Sequence, residues 1–230
     1  MTTTTYDGAL LIDGEWEQTS ATTEDRDPGT GAILAELSRG TADDLGRAVA
    51  AARRAQPEWG RKAAGTRAKF LLEAADSLES DSGAWAELMC REMGKPLQES
   101  KIESLRAAAI LRFFAGEAHR PFGEHYEADA ADTWLFTRRQ PVGVVGVITP
   151  WNFPAAIPAW KLAPALVFGN TVVAKFADDA ALTSMRLARA LQDAGLPPGV
   201  LNVVTGPGSE VGAALVEHPE VDAISFTGST

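Results

Sequence analysis

Read by its apolar positions, the chain changes period twice. Residues 9–38 carry short apolar arms separated by turn signals: Leu10-Leu-Ile-Asp-Gly-Glu-Trp16 has an Asp-Gly pair inside it, and Asp27-Pro-Gly-Thr-Gly31 precedes Ala32–Leu37. That spacing predicts short strands joined by tight turns. From Thr41 the period becomes helical. Thr41-Ala-Asp-Asp44 has the form of a capping box, and Leu45, Ala48, Val49 and Ala52 follow on one face. A second helix carries Phe70, Leu71, Ala74 and Leu78. A third carries Trp85, Leu88, Met89 and Glu92 and stops at Gly94, with Pro96 beyond it. A fourth, long helix is expected over 97–119, and residues 124–140 alternate as a hairpin or extended ribbon.

From Pro141 onward strands and helices alternate. Strands are expected at 143–148, 171–175, 201–205 and 222–226, with helices at 157–168, 180–194 and 209–216. Such alternation means parallel strands with right-handed crossovers, hence a doubly wound α/β sheet. The predicted division is 1–123 for the first strands and helices, 124–141 for the ribbon, and 142–230 for the parallel sheet, on which the first part packs. Because the sequence ends just after a strand, at Phe226-Thr-Gly-Ser-Thr230, a further helix is expected to follow.

Composition narrows the partners. The 230 residues are 45% hydrophobic and 23% charged, which is globular rather than disordered. A net charge of −10 argues against nucleic acid or an anionic membrane as partner, since phosphate surfaces demand a basic face. With one cysteine, Cys90, no intramolecular disulfide is possible, and His119, His125 and His218 share no ligand spacing, so no metal is expected. Cys90 sits beside Leu88 and Met89 without a basic partner and reads as a buried structural thiol. The threonine-rich start, expected to fray, has neither the basic nor the apolar part of a signal peptide, and no apolar run approaches a membrane span. A cytoplasmic protein is expected.

The candidate chemistry lies at the strand ends. Thr149-Pro-Trp-Asn-Phe-Pro154 turns from a strand into a helix, and its prolines make a stiff corner presenting one amide, Asn152. A fixed carboxamide suits a developing oxyanion; taken alone, Asn152 reads rather as the cap of the next helix, and it is the whole hexamer that is specific. Lys175, with Asp178 three residues on, closes the strand in Asn170-Thr-Val-Val-Ala-Lys-Phe-Ala-Asp178, where parallel sheets bind ligands, although the pair reads equally well as a surface lysine and a helix-capping acid. Gly206-Pro-Gly-Ser-Glu-Val-Gly212 is either a loosened dinucleotide fingerprint or a closely packed turn. The Gly228-Ser229 turn after Phe226 offers backbone N–H groups of the kind that hold phosphate.

In this order these motifs, together with Met93-Gly-Lys-Pro96, Trp160-Lys-Leu-Ala-Pro-Ala-Leu166 and Gly195-Leu-Pro-Pro-Gly-Val-Leu-Asn-Val-Val204, resemble the aldehyde dehydrogenase superfamily across essentially the whole chain. The resemblance implies a Rossmann-like cofactor-binding half of a protein about twice this length, cut before the catalytic domain. It implies Asn152 as the oxyanion-hole amide. Ile148, Thr149 and Trp151 would border the cofactor, Lys175 and Asp178 the adenosine ribose, Gly208 and Gly212 the adenine side, and Phe226, Gly228 and Ser229 the pyrophosphate. Phe153, Ile157 and Trp160 would face the aldehyde channel with Lys161 supporting them, and the ribbon would join copies into a homo-oligomer. Two positions depart from the family's Lys-Pro-Ser/Ala-Glu. Asp178 is a methylene shorter than Glu but still disfavours a 2′-phosphate, so NAD is expected over NADP. Phe176 in place of proline loosens the backbone after the lysine.

The implied reaction oxidises an aldehyde to a carboxylate, and Ala155-Ala-Ile-Pro-Ala-Trp-Lys161 looks most like members acting on dicarboxylic semialdehydes, such as those of 2-oxoglutarate or succinate. In the family the nucleophilic cysteine and general-base glutamate lie beyond Phe-Thr-Gly-Ser; Cys90 is in the wrong segment, so the chain is expected to be inactive alone. A non-catalytic nucleotide-binding or oligomerising fragment is the alternative. A small complete reductase does not fit: no Gly-x-Gly-x-x-Gly follows the first strand of the sheet, and Tyr6 and Tyr126 form no Tyr-x-x-x-Lys.

Overall fold

Every strand expected after Pro141 is present, and together they form four consecutive strands at one side of a six-stranded sheet. A computed structural model describes residues 8–120 and 123–228; the first seven residues and Ser229 lie outside them. Strands β1 (Leu10–Ile12), β2 (Glu15–Glu17), β3 (Thr22–Arg26) and β4 (Ile33–Ser38) precede helices α1 (Ala42–Arg61), α2 (Ala64–Ser80), α3 (Ser82–Met93) and α4 (Leu97–Glu117). A hairpin of β5 (His125–Tyr126) and β6 (Leu135–Phe136) leads to β7 (Val144–Ile148), α5 (Ala156–Val167), β8 (Thr171–Lys175), α6 (Ala181–Asp193), β9 (Leu201–Val203), α7 (Ala213–Glu217) and β10 (Ala223–Phe226). The sheet order is β10-β7-β8-β9-β1-β2. Its β10, β7, β8 and β9 run parallel, while β1 is antiparallel to β9.

The sequence pattern does not announce that the edge hairpin joins this sheet. Its turn is as expected: Asp13 and Gly14 both have positive φ, 53° and 86°, the conformation that tight hairpins demand. The pairing partner is distant in sequence, and Asp13 N donates to Asn202 Oδ1 at 2.9 Å. β1 is buried at all of Leu10, Leu11 and Ile12 because it has a layer on each face. Leu11, Val145, Val147, Val172 and Ala174 point into one core, shared with α2 to α6. Leu10, Ile12, Val144 and Val173 point into the other, under α1 and α7. A strand covered on both sides has no polar face, so it reads as an unbroken apolar run. Gly146 interrupts that run in β7 because a Cβ there would fall 2.5 Å from Ile224 Cδ1 and 3.1 Å from Leu215 Cδ1.

The helix boundaries follow their caps. Thr41 Oγ1 accepts from Asp44 N at 3.3 Å, and Asp44 Oδ2 accepts from Thr41 N at 2.9 Å, closing the box at the start of α1. Thr41→Ala is expected to cost about 1 kcal/mol in a urea titration, the usual worth of such a cap. Gly94 ends α3 in the left-handed region, φ 71°. α4 stops two residues before the expected His119. Cys90, expected to be buried, is only partly so. β9 is shorter than the expected 201–205, although Val204 N still reaches Ala174 O at 3.0 Å. None of the described helices is long and apolar enough to cross a membrane.

One buried polar cluster ties three elements together. Glu92, 2% exposed at the end of α3, accepts from Leu182 N (2.5 Å), Thr183 N (3.0 Å) and Thr183 Oγ1 (2.5 Å) at the start of α6. Burial, reinforced by the nearby Asp25 carboxylate of β3, pushes Glu92 up to about 8. Burial likewise raises Asp25 to about 6, with Asp179 adding to it. Two carboxyl groups this close and this dry favour holding a proton between them.

Candidate functional site

The residues that the sequence singles out gather along one sheet edge, because parallel strands end together. Phe226 of β10 pairs with Ile148 of β7, and Ile148 pairs with Lys175 of β8. The ladder continues one step beyond each strand: Thr149 N donates to Lys175 O at 3.3 Å and Thr227 N to Ile148 O at 3.1 Å. After β7 the chain steps through β8 to β9, then returns to place β10 on the other side of β7. The strand order thus reverses at β7, and such a reversal is where doubly wound sheets open a crevice at their carboxyl ends. Thr149, 3% exposed, contributes a buried Oγ1 with no partner among the described residues.

The corner after β7 has its backbone groups accounted for on several sides. Asn152 O accepts from Lys95 Nζ at 3.1 Å, Phe153 O from Ile157 N at 3.0 Å, and Pro154 O from Ser184 Oγ at 2.8 Å. Asn152 does not cap α5. That role falls to Glu103 of α4, whose Oε1 accepts from Ala155 N at 2.9 Å and Ala156 N at 3.1 Å. The Asn152 carboxamide has no partner among the described residues, and the residue is exposed, so these residues alone do not enclose it. Trp151 is exposed beside it. Phe153, Ile157 and Trp160 recur at helical spacing along the start of α5. Phe153 and Trp160 are exposed, Ile157 half-buried, and Trp160 meets Phe114 edge-on with centroids 5.9 Å apart. Lys161 Nζ donates to Ser225 Oγ at 2.9 Å, and burial lowers the pKa of its ammonium.

At the other end of the edge, Lys175 Nζ lies 3.3 Å from Asp178 Oδ1, and the same oxygen accepts from Gly206 N at 3.2 Å. Phe176, the residue that replaces the family's proline here, is wholly buried. The glycines of the 206–212 run divide into two kinds. Gly206 has φ 138°, and a Cβ on it would fall 2.9 Å from Gly40 O, so packing requires it. Gly208 and Gly212 bound a single π-helical turn, and a Cβ on either would meet nothing within 4 Å. Their bareness leaves room for a flat or extended group, as the expected nucleotide needs. A Cβ on Gly228 would fall 2.7 Å from the Phe226 ring. Ser229 lies outside the described residues. Glu103 belongs to no motif singled out in the sequence, and Lys95 stands out there only as part of Met93-Gly-Lys-Pro96, yet both contact this corner.

Residues 16–230 match the model of the aldehyde dehydrogenase family. The chain is 46% identical over 222 residues to the alpha-ketoglutaric semialdehyde dehydrogenase of Bacillus subtilis (strain 168), a match covering 95% of this chain and 46% of that protein. To the alpha-ketoglutarate semialdehyde dehydrogenase of Haloferax volcanii it is 43% identical, again with 95% and 46% coverage. The structure superposes with TM-score 0.94 on betaine aldehyde dehydrogenase from Staphylococcus aureus in complex with NAD+, at 36% identity, covering 98% of this chain and 46% of that one. The chain thus spans about half the length of the relatives it matches.

Proposed function

The chain belongs to the aldehyde dehydrogenase family, and on that premise we propose that it carries the NAD-binding half of an oxidoreductase that converts an aldehyde to a carboxylate. One observation supports the reading above others. The corner bearing Asn152 and the Thr227-Gly228 turn leave neighbouring strands on either side of the sheet's switch point, with Lys175 at the same register on the adjoining strand β8. When bound there, the cofactor supplies a hydride acceptor. Lys175 offers its ammonium and Asp178 its carboxylate to the ribose hydroxyls, for which their mutual contact would open. The acid at 178 repels a 2′-phosphate, favouring NAD over NADP. The bare flank of Gly208 and Gly212 admits the adenine side, and Ile148, Thr149, Trp151 and Phe226 border the rest. Asn152 presents an N–H donor to an oxygen gaining negative charge, at no cost in reorganisation. Phe153, Ile157 and Trp160 line the aldehyde's approach, and the two semialdehyde-oxidising relatives support a dicarboxylic semialdehyde as substrate.

The proposal includes inactivity of the isolated chain, since Cys90 lies on α3 and not at the strand ends. It also includes a cytoplasmic, homo-oligomeric parent protein. The hairpin of β5 and β6 supports the oligomer: Trp134 is 83% exposed, Leu135 and Phe136 stand out beside it, and water is a poor environment for such a cluster. Those same rings favour a second reading, an oligomerising fragment without catalysis.

Calorimetric titration with NAD+ separates the two. Binding by the chain, weakened about ten- to a hundredfold by Lys175→Ala as expected for a lost charge-assisted hydrogen bond, supports the cofactor site. Equal affinity in the variant, or no heat with the unaltered chain, overturns it.

A further inference from the structure

We propose that Lys95 and Glu103 are positioning residues that hold the Asn152 peptide still, an inference resting on the oxyanion role proposed above. The two side chains form one buried unit. Lys95 is 9% exposed at its side chain and Glu103 2%, and the ammonium donates to Glu103 Oε2. Each partner then reaches the corner separately. The ammonium donates to Asn152 O and sits 3.9 Å from the Phe153 ring centroid. The other carboxylate oxygen receives Ala155 N and Ala156 N. Lys95 thus grips the corner before its second proline, and Glu103 grips it after.

The backbone behind the pair is itself fixed. Lys95 stands between Gly94, the left-handed end of α3, and Pro96, the first cap of α4. Its carbonyl accepts from Ser100 Oγ at 3.3 Å. With its backbone fixed, the lysine has only side-chain torsions left to order, and its bond to Glu103 already restricts them. Holding that carbonyl fixes the peptide plane between Asn152 and Phe153, which leaves only two side-chain torsions to aim the carboxamide. The pair is costly to keep, because buried ions lose hydration that their mutual attraction only partly returns. Capping α5 would need only one acceptor, such as a serine or asparagine at its start. The second contact, from the ammonium to the carbonyl of the residue bearing the functional amide, is what a cap alone leaves unexplained.

The test uses the 230-residue chain itself, isotopically labelled, and reads two regions by NMR. In Lys95→Met, the heteronuclear NOE of the Asn152 backbone N–H and side-chain NH2 should fall while that of Val145 and Val147 in β7 stays unchanged. Should that variant fold poorly around an unpaired carboxylate, the double variant Lys95→Met/Glu103→Gln removes both charges yet keeps an amide oxygen facing Ala155 N and Ala156 N. In it, amide exchange at Ala155 and Ala156 should remain within about threefold of the parent, whereas Asn152 should still lose order; Glu103→Ala should raise that exchange by about tenfold, the worth of a lost hydrogen bond. Unchanged order at Asn152 in both Lys95 variants would reduce the pair to a helix cap and overturn the inference. NAD+ affinity measured on the same samples keeps the two ideas apart: loss of order at Asn152 without any NAD+ binding defeats the proposed function alone, and NAD+ binding with an unaltered Asn152 defeats the positioning role alone.

Discussion

Glu92→Ala is expected to lower the unfolding free energy of this chain by about 3–5 kcal/mol, the range seen when one partner of a buried polar network is removed. Glu92 accepts two backbone N–H groups and a hydroxyl at the start of α6. An alanine leaves all three facing a cavity too tight to hydrate them well. It also strips Asp25 of its neighbour, and Asp25 Oδ2 already has no partner among the described residues. Glu92→Gln keeps one acceptor oxygen and nearly the same volume, so it should cost less than half as much. Urea titrations followed by far-ultraviolet circular dichroism compare the three proteins. A loss below about 1 kcal/mol in the alanine variant would mean that water or a shifted side chain replaces the carboxylate.

Trp59→Ala should be nearly as damaging, again about 3–5 kcal/mol. Trp59 is 1% exposed in the last turn of α1 and is the buried residue by which that helix reaches the larger core. Its ring stands 5.7 Å from that of Phe70, and its Nε1–H donates to Leu166 O at 3.0 Å. That carbonyl also receives Gly169 N at 3.0 Å, so it is not orphaned by the substitution. The loss therefore comes from the empty volume between α1, α2 and α5. Trp59→Phe, which retains most of the ring, should recover more than half of the deficit. Equal thermal midpoints for the alanine variant and the parent would show that the three helices close over the gap.

What the chain's pattern makes plain is whatever depends on near neighbours. The box at Thr41, the stop at Gly94 and the turn at Asp13-Gly14 are local agreements between a side chain and its own backbone, and they stand where the residues predict. The parallel strands are legible because two buried faces force a run such as Val144–Ile148. The place of β1 is not, since Leu10–Ile12 would make the same apolar strand against any partner. The same limit governs the site. Lys175 and Asp178 close a strand, and strand ends in such sheets face ligands, so they can be found. Glu103 cannot be assigned a partner, because its hydrogen bonds go to residues 52 and 53 positions away. One signal is available. Ser100, Glu103, Ser104, Ala107, Ala108 and Leu111 form the inward stripe of α4, and an acid on such a stripe must have a partner. Glu92 on α3 sends the same signal, beside Trp85, Ala86 and Met89. Asn152 misleads in the opposite direction: a residue type favoured at helix starts stands before a helix that a different chain segment caps.

The antiparallel seat of β1 beside β9 has a consequence in time. Asp13 and Asn202, bonded across that seam, are 189 residues apart. At ribosomal speeds of about 5–20 residues per second, the first hairpin emerges roughly 10–40 s before its partner exists. Throughout that interval β1 has only β2 beside it, and Leu10, Leu11 and Ile12 lack the strand and the two apolar layers that cover them in the fold. Folding in the cell is therefore a matter of waiting safely, and the uncovered apolar strand is the natural target of a holdase chaperone.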